Sequence, residues 1–325
     1  MSLPLSDHFN GKTFFQPHHA TAGGISDLLK WQLTARRARW PKQVAIPRQP
    51  APPPSISGEA VITWIGHATF LIQTSQGNLL TDPVFSERTS PVSWAGPRRV
   101  HPPGIALADL PRIDAVLLSH DHYDHCDTRS LRQLAAAHDP MFVAPLRHHD
   151  LLQRTGARRI TELDWWEQHP FGAGQIALTP SKHWSNRFGT PRNHRLWGGY
   201  FLTLPRADAQ QPPQRIWFVG DTGYDEDLGR DVRHRLGSPE VALMPIGAYE
   251  PRWFLAPMHM NPHEAVQLHQ GVGAGLSIGM HWGTFQLTDE AREAPLYALT
   301  DARATAGVSP ADFRVLDPGE SHILS

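Results

Sequence analysis

The pattern of apolar and polar positions divides the chain into an arm and a long run of strands. Residues 1 to about 57 show little of the alternation a strand needs, and they close on Pro47, Pro50, Pro52, Pro53 and Pro54, a stiff extended lead. From Glu59 onward, short apolar runs recur between turn residues. Strands are predicted over 60–65, 70–74 and 79–82, with Ser75-Gln76-Gly77-Asn78 as the hairpin turn before the last. Others follow over 113–118, 141–144, 175–179, 199–204, 215–219, 241–245 and 276–280. Helical patterns separate several of them. One starts at Asn261-Pro262-His263-Glu264, where Asn can cap, Pro fits the first helical position and Glu completes a capping box. Another starts at Asp127-Thr128, ahead of Leu131, Leu134 and Ala135. Strands first, then strands mixed with helices, predict an α/β fold of two sheets with helices on the outer faces. The expected organisation is an arm over 1–57, packing on the core or lining the substrate approach, and one catalytic domain over 58–325.

Composition narrows the partners. A chain of 325 residues that is 40% hydrophobic has ample core for one large domain. The net charge of -1 provides no basic field, and no Lys/Arg stripe alternates with aromatics, so nucleic acid is not an expected partner. Cys126 is the sole cysteine, which excludes an internal disulfide and leaves nothing to mark an oxidising compartment. The first residues lack a basic and then apolar leader, and no apolar run approaches the ~18 residues of a spanning helix. The expected location is the cytoplasm, in solution or peripherally at a membrane surface. Two stretches bear on the second option. Over 25–40, Ile25, Leu28, Leu29 and Trp31 accompany Lys30, Arg36, Arg37 and Arg39 in a basic amphipathic pattern, and Trp253-Phe254-Leu255-Ala256-Pro257-Met258 is a second apolar segment. Both suit packing on the core as well as contact with a bilayer.

The chemistry concentrates in His120-Asp121-His122-Tyr123-Asp124-His125, an H-x-H-x-D-H cluster at the exit of the predicted strand 113–118. Side chains two apart in an extended chain project to one side, so His120 and His122 can grip one ion together. Asp124 and His125 follow where the chain turns and can face a second. Imidazoles and carboxylates so crowded would repel or desolvate one another without a cation between them, and they suit a borderline divalent metal such as zinc. Three further strand exits offer ligands of the same kind: His183 after 175–179, Asp221 after 215–219 and His281 after 276–280. Gly220 and Gly223 let the backbone turn tightly around Asp221. Together with the first cluster, these fit a count of two metals.

The ordered pattern H-x-H-x-D-H, His, Asp, His resembles that of the metallo-β-lactamase superfamily. Within it, the N-acylphosphatidylethanolamine-hydrolysing phospholipase D family and its bacterial relatives are most similar. That resemblance is carried by Trp64-Ile65-Gly66-His67-Ala68-Thr69, Leu80-Thr81-Asp82-Pro83, Gly220-Asp221-Thr222-Gly223-Tyr224, residues 245–254 and His281-Trp282-Gly283-Thr284-Phe285. It implies an αββα sandwich with two zinc ions per chain, iron or manganese being able to replace them. His120, His122 and His183 would bind one ion; Asp124, His125 and His281 would bind the other; Asp221 would bridge them. A bridging hydroxide is then the expected nucleophile on a phosphodiester, with Asp221, Asp124 and His259 as catalytic residues. His259, Arg187, Tyr249 and Arg252 are the expected contacts to substrate phosphate or headgroup, and His67 is expected behind the ligands. The implied substrate is a phospholipid of the N-acylphosphatidylethanolamine type. Two alternatives stand beside it: hydrolysis of lactones, esters or sugar phosphates with the same ligands, and a non-catalytic metal-binding protein.

Other residues have simpler readings. Asp121 points away from the ligands and reads as structural, orienting an imidazole or capping the next helix. Cys126 reads as a small buried residue. His18, His19, His148, His149, His194, His234 and His322 lack a third ligand nearby and read as surface histidines.

Overall fold

In the computed structural model, residues 3–17, 24–47, 49–206, 208 and 210–324 are described; His18 and His19 lie outside them. The strands are β1 (Val61–Gly66), β2 (Thr69–Thr74), β3 (Gly77–Thr81), β4 (Ala115–Leu117), β5 (Met141–Pro145), β6 (Arg159–Leu163), β7 (Gln168–Phe171), β8 (Gly174–Thr179), β9 (Gly199–Leu204), β10 (Gln214–Phe218), β11 (Val241–Pro245), β12 (Leu276–Met280), β13 (Phe313–Val315) and β14 (Ser321–Ile323). The helices are α1 (Ile25–Thr34), α2 (Thr128–His138), α3 (His149–Gln153), α4 (Glu226–Leu236), α5 (Arg252–Leu255), α6 (Pro262–Val272) and α7 (Ala294–Ala306).

Two seven-stranded mixed sheets result, ordered β14-β1-β2-β3-β4-β5-β6 and β13-β12-β11-β10-β9-β8-β7. This is the expected sandwich. Alternation within the strands sorts the core. Phe70 and Ile72 of β2, with Ala115 and Leu117 of β4, join Trp197, Tyr200, Phe201 and Trp217 in the main cluster. Leu71 and Val116 face the other way, onto Leu131 and Leu134 of α2. Burying side chains of this size contributes about 1.5–3 kcal/mol each, so the parity of each strand is firmly set.

Strand direction explains where chemistry collects. β3, β4, β5 and β6 pair in parallel, as do β10, β11, β12 and β13. β8 is antiparallel to β9 and β9 to β10, so β8 and β10 run the same way; β1 and β3 are related in the same manner through β2. The exits of β1, β3 and β4 in one sheet, and of β8, β10 and β12 in the other, therefore carry the residues that follow them to shared ends.

Two expectations need correction. The strands β6, β7, β13 and β14 escaped the sequence reading, and they are the four sheet edges. Edge strands are short and half solvated, so they lack an apolar run; β7 even carries Pro170. The basic amphipathic pattern over 25–40 is helical only to Thr34. Beyond it the amides of Arg36 and Ala38 donate to Asp289, at 3.3 and 2.9 Å, a tertiary alternative to another helical turn. The arm is well anchored. Phe9 and Phe14 are buried in the main core, and His8 sits between Asp7 and Asp164 on the ring of Trp165.

Candidate metal centre

β4 ends one residue before Leu118, and the loop that follows delivers His120, His122, Asp124 and His125 before Asp127 caps α2 by accepting from the Arg129 amide. His183 leaves β8, Asp221 leaves β10 and His281 leaves β12. The structure brings all seven together. Nitrogens of His120, His122 and His183 converge, His122 Nδ1 lying 2.9 Å from His120 Nε2 and 3.4 Å from His183 Nε2. A second group forms from Asp124, His125 and His281, with His125 Nε2 and His281 Nε2 only 3.1 Å apart and each 3.4 Å from Asp124 Oδ2. Asp221 Oδ2 stands between the groups, 3.1 Å from both His125 and His281 and 3.9 Å from His183.

Local backbone choices make this possible. His281 (φ 61°) and His67 (φ 54°) adopt the left-handed region, which few non-glycine residues occupy outside functional turns. Gly220 (φ +69°) does so ahead of Asp221, and a Cβ there would meet Gly198 O at 2.8 Å. Lys182 N donates to Thr222 Oγ1 and Gly223 N to Lys182 O, which laces the exits of β8 and β10 side by side.

The donor set fits a divalent cation. Imidazole nitrogens that converge on one point suit an electrophile between them, and on three of the rings the far nitrogen is held by a partner that aims it. His125 Nδ1 donates to Asp82 Oδ2 at 2.7 Å, and His183 Nδ1 donates to Met258 O at 3.0 Å. His120 Nδ1 pairs with Ser119 Oγ at 2.8 Å, and that hydroxyl donates on to Asp82 at 2.5 Å. Asp82 thus orients both His120 and His125 from behind. Among the described residues, buried Asp221 Oδ1 and His122 Nε2 have no hydrogen-bond partner.

Electrostatics agree. Burial opposes ionisation of Asp124 and Asp221, yet His125, joined by His281, holds both carboxyls well below the usual carboxylate range. Burial likewise opposes charge on His125 and His281, but Asp221 and Asp124 raise His125 well above its ordinary value and His281 to about 9. His120 and His183 are pushed well below theirs by burial. In the metal-free protein positive charge is thus favoured on His125 and His281, between Asp124 and Asp221, where a bound cation would take the place of the protons.

Comparison with known proteins adds the lineage. A family model described as a beta-lactamase superfamily domain matches residues 77–282. The chain belongs to the metallo-β-lactamase superfamily. Within it the protein groups with the N-acylphosphatidylethanolamine-hydrolysing phospholipase D-like members: it is 36% identical to the N-acyl-phosphatidylethanolamine-hydrolyzing phospholipase D 1 of Caenorhabditis elegans, over 79% of this chain and 74% of that one. An uncharacterized protein of Mycobacterium tuberculosis is 37% identical over 85% of this chain and 73% of its own. Among solved structures, the isothiocyanate hydrolase from Delia radicum gut bacteria superposes with a TM-score of 0.64 at 19% identity, covering 82% of this chain and 99% of that one, which is likeness of fold alone. The protein is a metal-dependent hydrolase of this superfamily, with His/Asp clusters able to bind metal.

In this metallo-β-lactamase fold a cleft of about 490 Å³ opens onto the donors. His122, Asp124, Asp221 and His259 form its polar end, while Leu28, Trp31, Trp184, Phe254, Leu255, Met258 and Leu287 form its walls. His259 Nδ1 is 3.9 Å from Asp221 Oδ2, and burial lowers its pKa to about 4, so the ring is neutral near pH 7. Three expected substrate contacts sit elsewhere. Arg187 donates to the backbone oxygens of Asp121 and Cys126, Arg252 grips Glu264 and the His259 carbonyl, and Tyr249 is buried with its amide on Glu290. None of the three lines the cleft. A guanidinium that meets buried carbonyls or a carboxylate is satisfied there and is not left to await a phosphate.

One residue, Asp82, gained a role the sequence did not assign, and His67, expected behind the ligands, stands among the donors themselves. Asp82 was part of a recognised motif but no function was attached to it. His67 Nε2 donates to Asp124 Oδ2, 3.0 Å away, and lies within the donor group of Asp124, His125 and His281. Both follow apolar strands, and a polar side chain at such an exit is the signal by which they could have been found. Asp121 is structural, paired with buried Arg195 at 3.0 Å, and Cys126 is buried, its thiol pushed up to about 12 by burial. His148 is buried too, its Nδ1 on Pro145 O, and does not belong among the surface histidines.

Proposed function

We propose that the protein is a dinuclear zinc phosphodiesterase of the phospholipase D type, acting on N-acylphosphatidylethanolamine-like phospholipids. The observation that carries this is the cleft: a polar end built from metal donors joined directly to an apolar wall, the shape of a molecule with a phosphodiester and long chains. The Caenorhabditis elegans relative's name supports the same substrate class. Bound zinc would supply Lewis-acid polarisation of phosphoryl oxygens and acidify water toward neutrality. The chain's own residues do the rest. His120, His122 and His183 would hold one ion, Asp124, His125 and His281 the other, with Asp221 between them; Asp82 and Ser119 keep the imidazoles aimed. Neutral His259 presents a hydrogen-bonding group beside the donors, suited to orienting a phosphoryl oxygen without adding a fixed charge. Apolar walls exclude bulk water from the scissile bond.

A bilayer is the proposed source of substrate. Leu29 and Leu33 of α1 and the neighbouring Trp253 are 58%, 87% and 49% exposed, with Lys30 over the Trp253 ring and Arg36 close in sequence. Apolar side chains ringed by basic ones at a cleft mouth suit an anionic lipid surface. The test is an assay of purified protein on N-acylphosphatidylethanolamine, a water-soluble aryl phosphodiester and a lactone, with metal content measured in parallel. Phosphatidic acid and N-acylethanolamine are the expected products from the first; lactone turnover without phosphodiester cleavage would overturn the assignment.

A further inference from the structure

The ligand loop does not hold itself. Four donors lie within residues 120–125, and the loop's own backbone bonds are those from His125 N and Cys126 N to His122 O, at 3.2 and 2.7 Å. Its two ends present carbonyls in a buried region, at Asp121 and at Cys126. Both are taken by one atom. Arg187 Nη1 donates to Asp121 O and to Cys126 O, each at 2.9 Å, while the guanidinium carbon lies 4.2 Å from the centre of the Tyr123 ring between those ends.

We propose that Arg187 is a positioning residue for the metal centre, closing the ligand loop into its coordinating shape. The segment it belongs to strengthens the case. That segment begins at His183, itself a donor, and ends near Arg195, whose Nη1 reaches Asp121 Oδ2 at 3.0 Å with both side chains almost wholly buried. Ser185 Oγ donates to Arg195 O at 2.6 Å and Asn193 N to Ser185 O at 2.8 Å, so the segment is tied across its own base. One stretch of chain thus delivers a donor of its own and, through Arg187 and Arg195, fixes the loop that delivers four others. Charge-assisted hydrogen bonds from one guanidinium nitrogen to two carbonyls are stronger than neutral ones and hold those carbonyls close together.

This inference rests on the donor cluster being a metal site and is independent of the phospholipid substrate. The test is Zn²⁺ affinity, measured by titrating the metal-stripped full chain against a chromophoric chelator, alongside the unfolding midpoint of the metal-free form. Arg187→Met should weaken Zn²⁺ binding by about 10–100-fold, and Arg187→Lys, which keeps the charge and several donors, by about 3–10-fold, as loss or weakening of support behind metal ligands does. Arg158→Ala, which removes an exposed ion pair with Asp139, should leave affinity unchanged. A merely structural role would lower the unfolding midpoint of the metal-free protein and leave affinity within about twofold of wild type, and that result overturns the proposal. If Arg187→Met does not fold, Arg187→Lys decides by the same criterion. A wild-type chain that binds no Zn²⁺ overturns the metal-site reading itself, an outcome separate from equal affinities in wild type and variant.

Discussion

Asp82 and Asp221 show how much a single residue's role depends on its neighbours. Asp221 was legible because a lone carboxylate after an apolar strand, flanked by glycines, has few structural reasons to be there. Asp82 had the same credentials, but its function depends on β3 lying parallel to β4, which no local pattern discloses. Arg187, Arg252 and Tyr249 erred the other way: their residue types suit phosphate, and the fold commits them to carbonyls, a carboxylate and the interior. At this scale two outcomes are expected. His120→Ala or Asp221→Asn should abolish turnover and lower metal content as measured by elemental analysis, and near-normal activity in either would refute the ligand assignment. Asp82→Asn keeps its size but weakens the acceptor behind His120 and His125; metal affinity should drop by about 10–100-fold while every direct ligand remains. An unchanged binding curve would show that Ser119 alone suffices.

Among elements, the interior strands were legible and the edges were not, because a central strand must be apolar on both faces whereas an edge needs only a few inward side chains. The capping box at Asn261 and the cap at Asp127 were also readable, since each depends on residues within one turn. α1 was harder: its amphipathic pattern continues past the point where Asp289 captures the backbone, a contact more than two hundred residues away. That capture places Trp31, whose Nε1 donates to Asp289 Oδ1 at 3.1 Å, in the cleft wall against Phe254. Trp31→Ala should therefore raise KM for a long-chain phospholipid several-fold and leave kcat/KM for a small soluble phosphodiester within about twofold, since remote apolar contacts act on substrates that reach them. Equal effects on both substrates would count against a wall role. On the outer face of α1, Leu33→Glu should reduce co-sedimentation with anionic vesicles without changing activity on the soluble substrate; undiminished sedimentation would remove α1 from the membrane face.

The whole molecule repeats one pairing scheme. Each sheet has three antiparallel pairings followed by three parallel ones, a symmetry that hydropathy did not reveal because it lies in the direction of strand pairing. The sandwich itself was readable from the order of its elements. A pH signature belongs to this scale. In metal-free protein, His125 is raised well above the ordinary histidine value and His281 to about 9, by Asp221 and Asp124 against the pull of burial. A raised folded-state pKa adds stability that is full below about 6.5 and is lost as pH rises through the folded value. The unfolding midpoint of the metal-free form should therefore decline between about pH 6.5 and 9, and calorimetry across that window would refute this by finding it flat or rising. Zn²⁺ addition in the same window should release protons, detectable in weak buffer, because the ion replaces them. Finally, the candidate donors divide between the sheets: the loop after β4 supplies His120, His122, Asp124 and His125, and the second sheet supplies His183, Asp221 and His281. Synthesis runs from β4 to β12, so the set of His120, His122 and His183 is complete in the nascent chain ahead of the set of Asp124, His125 and His281, and the two halves of the centre become able to close in that order.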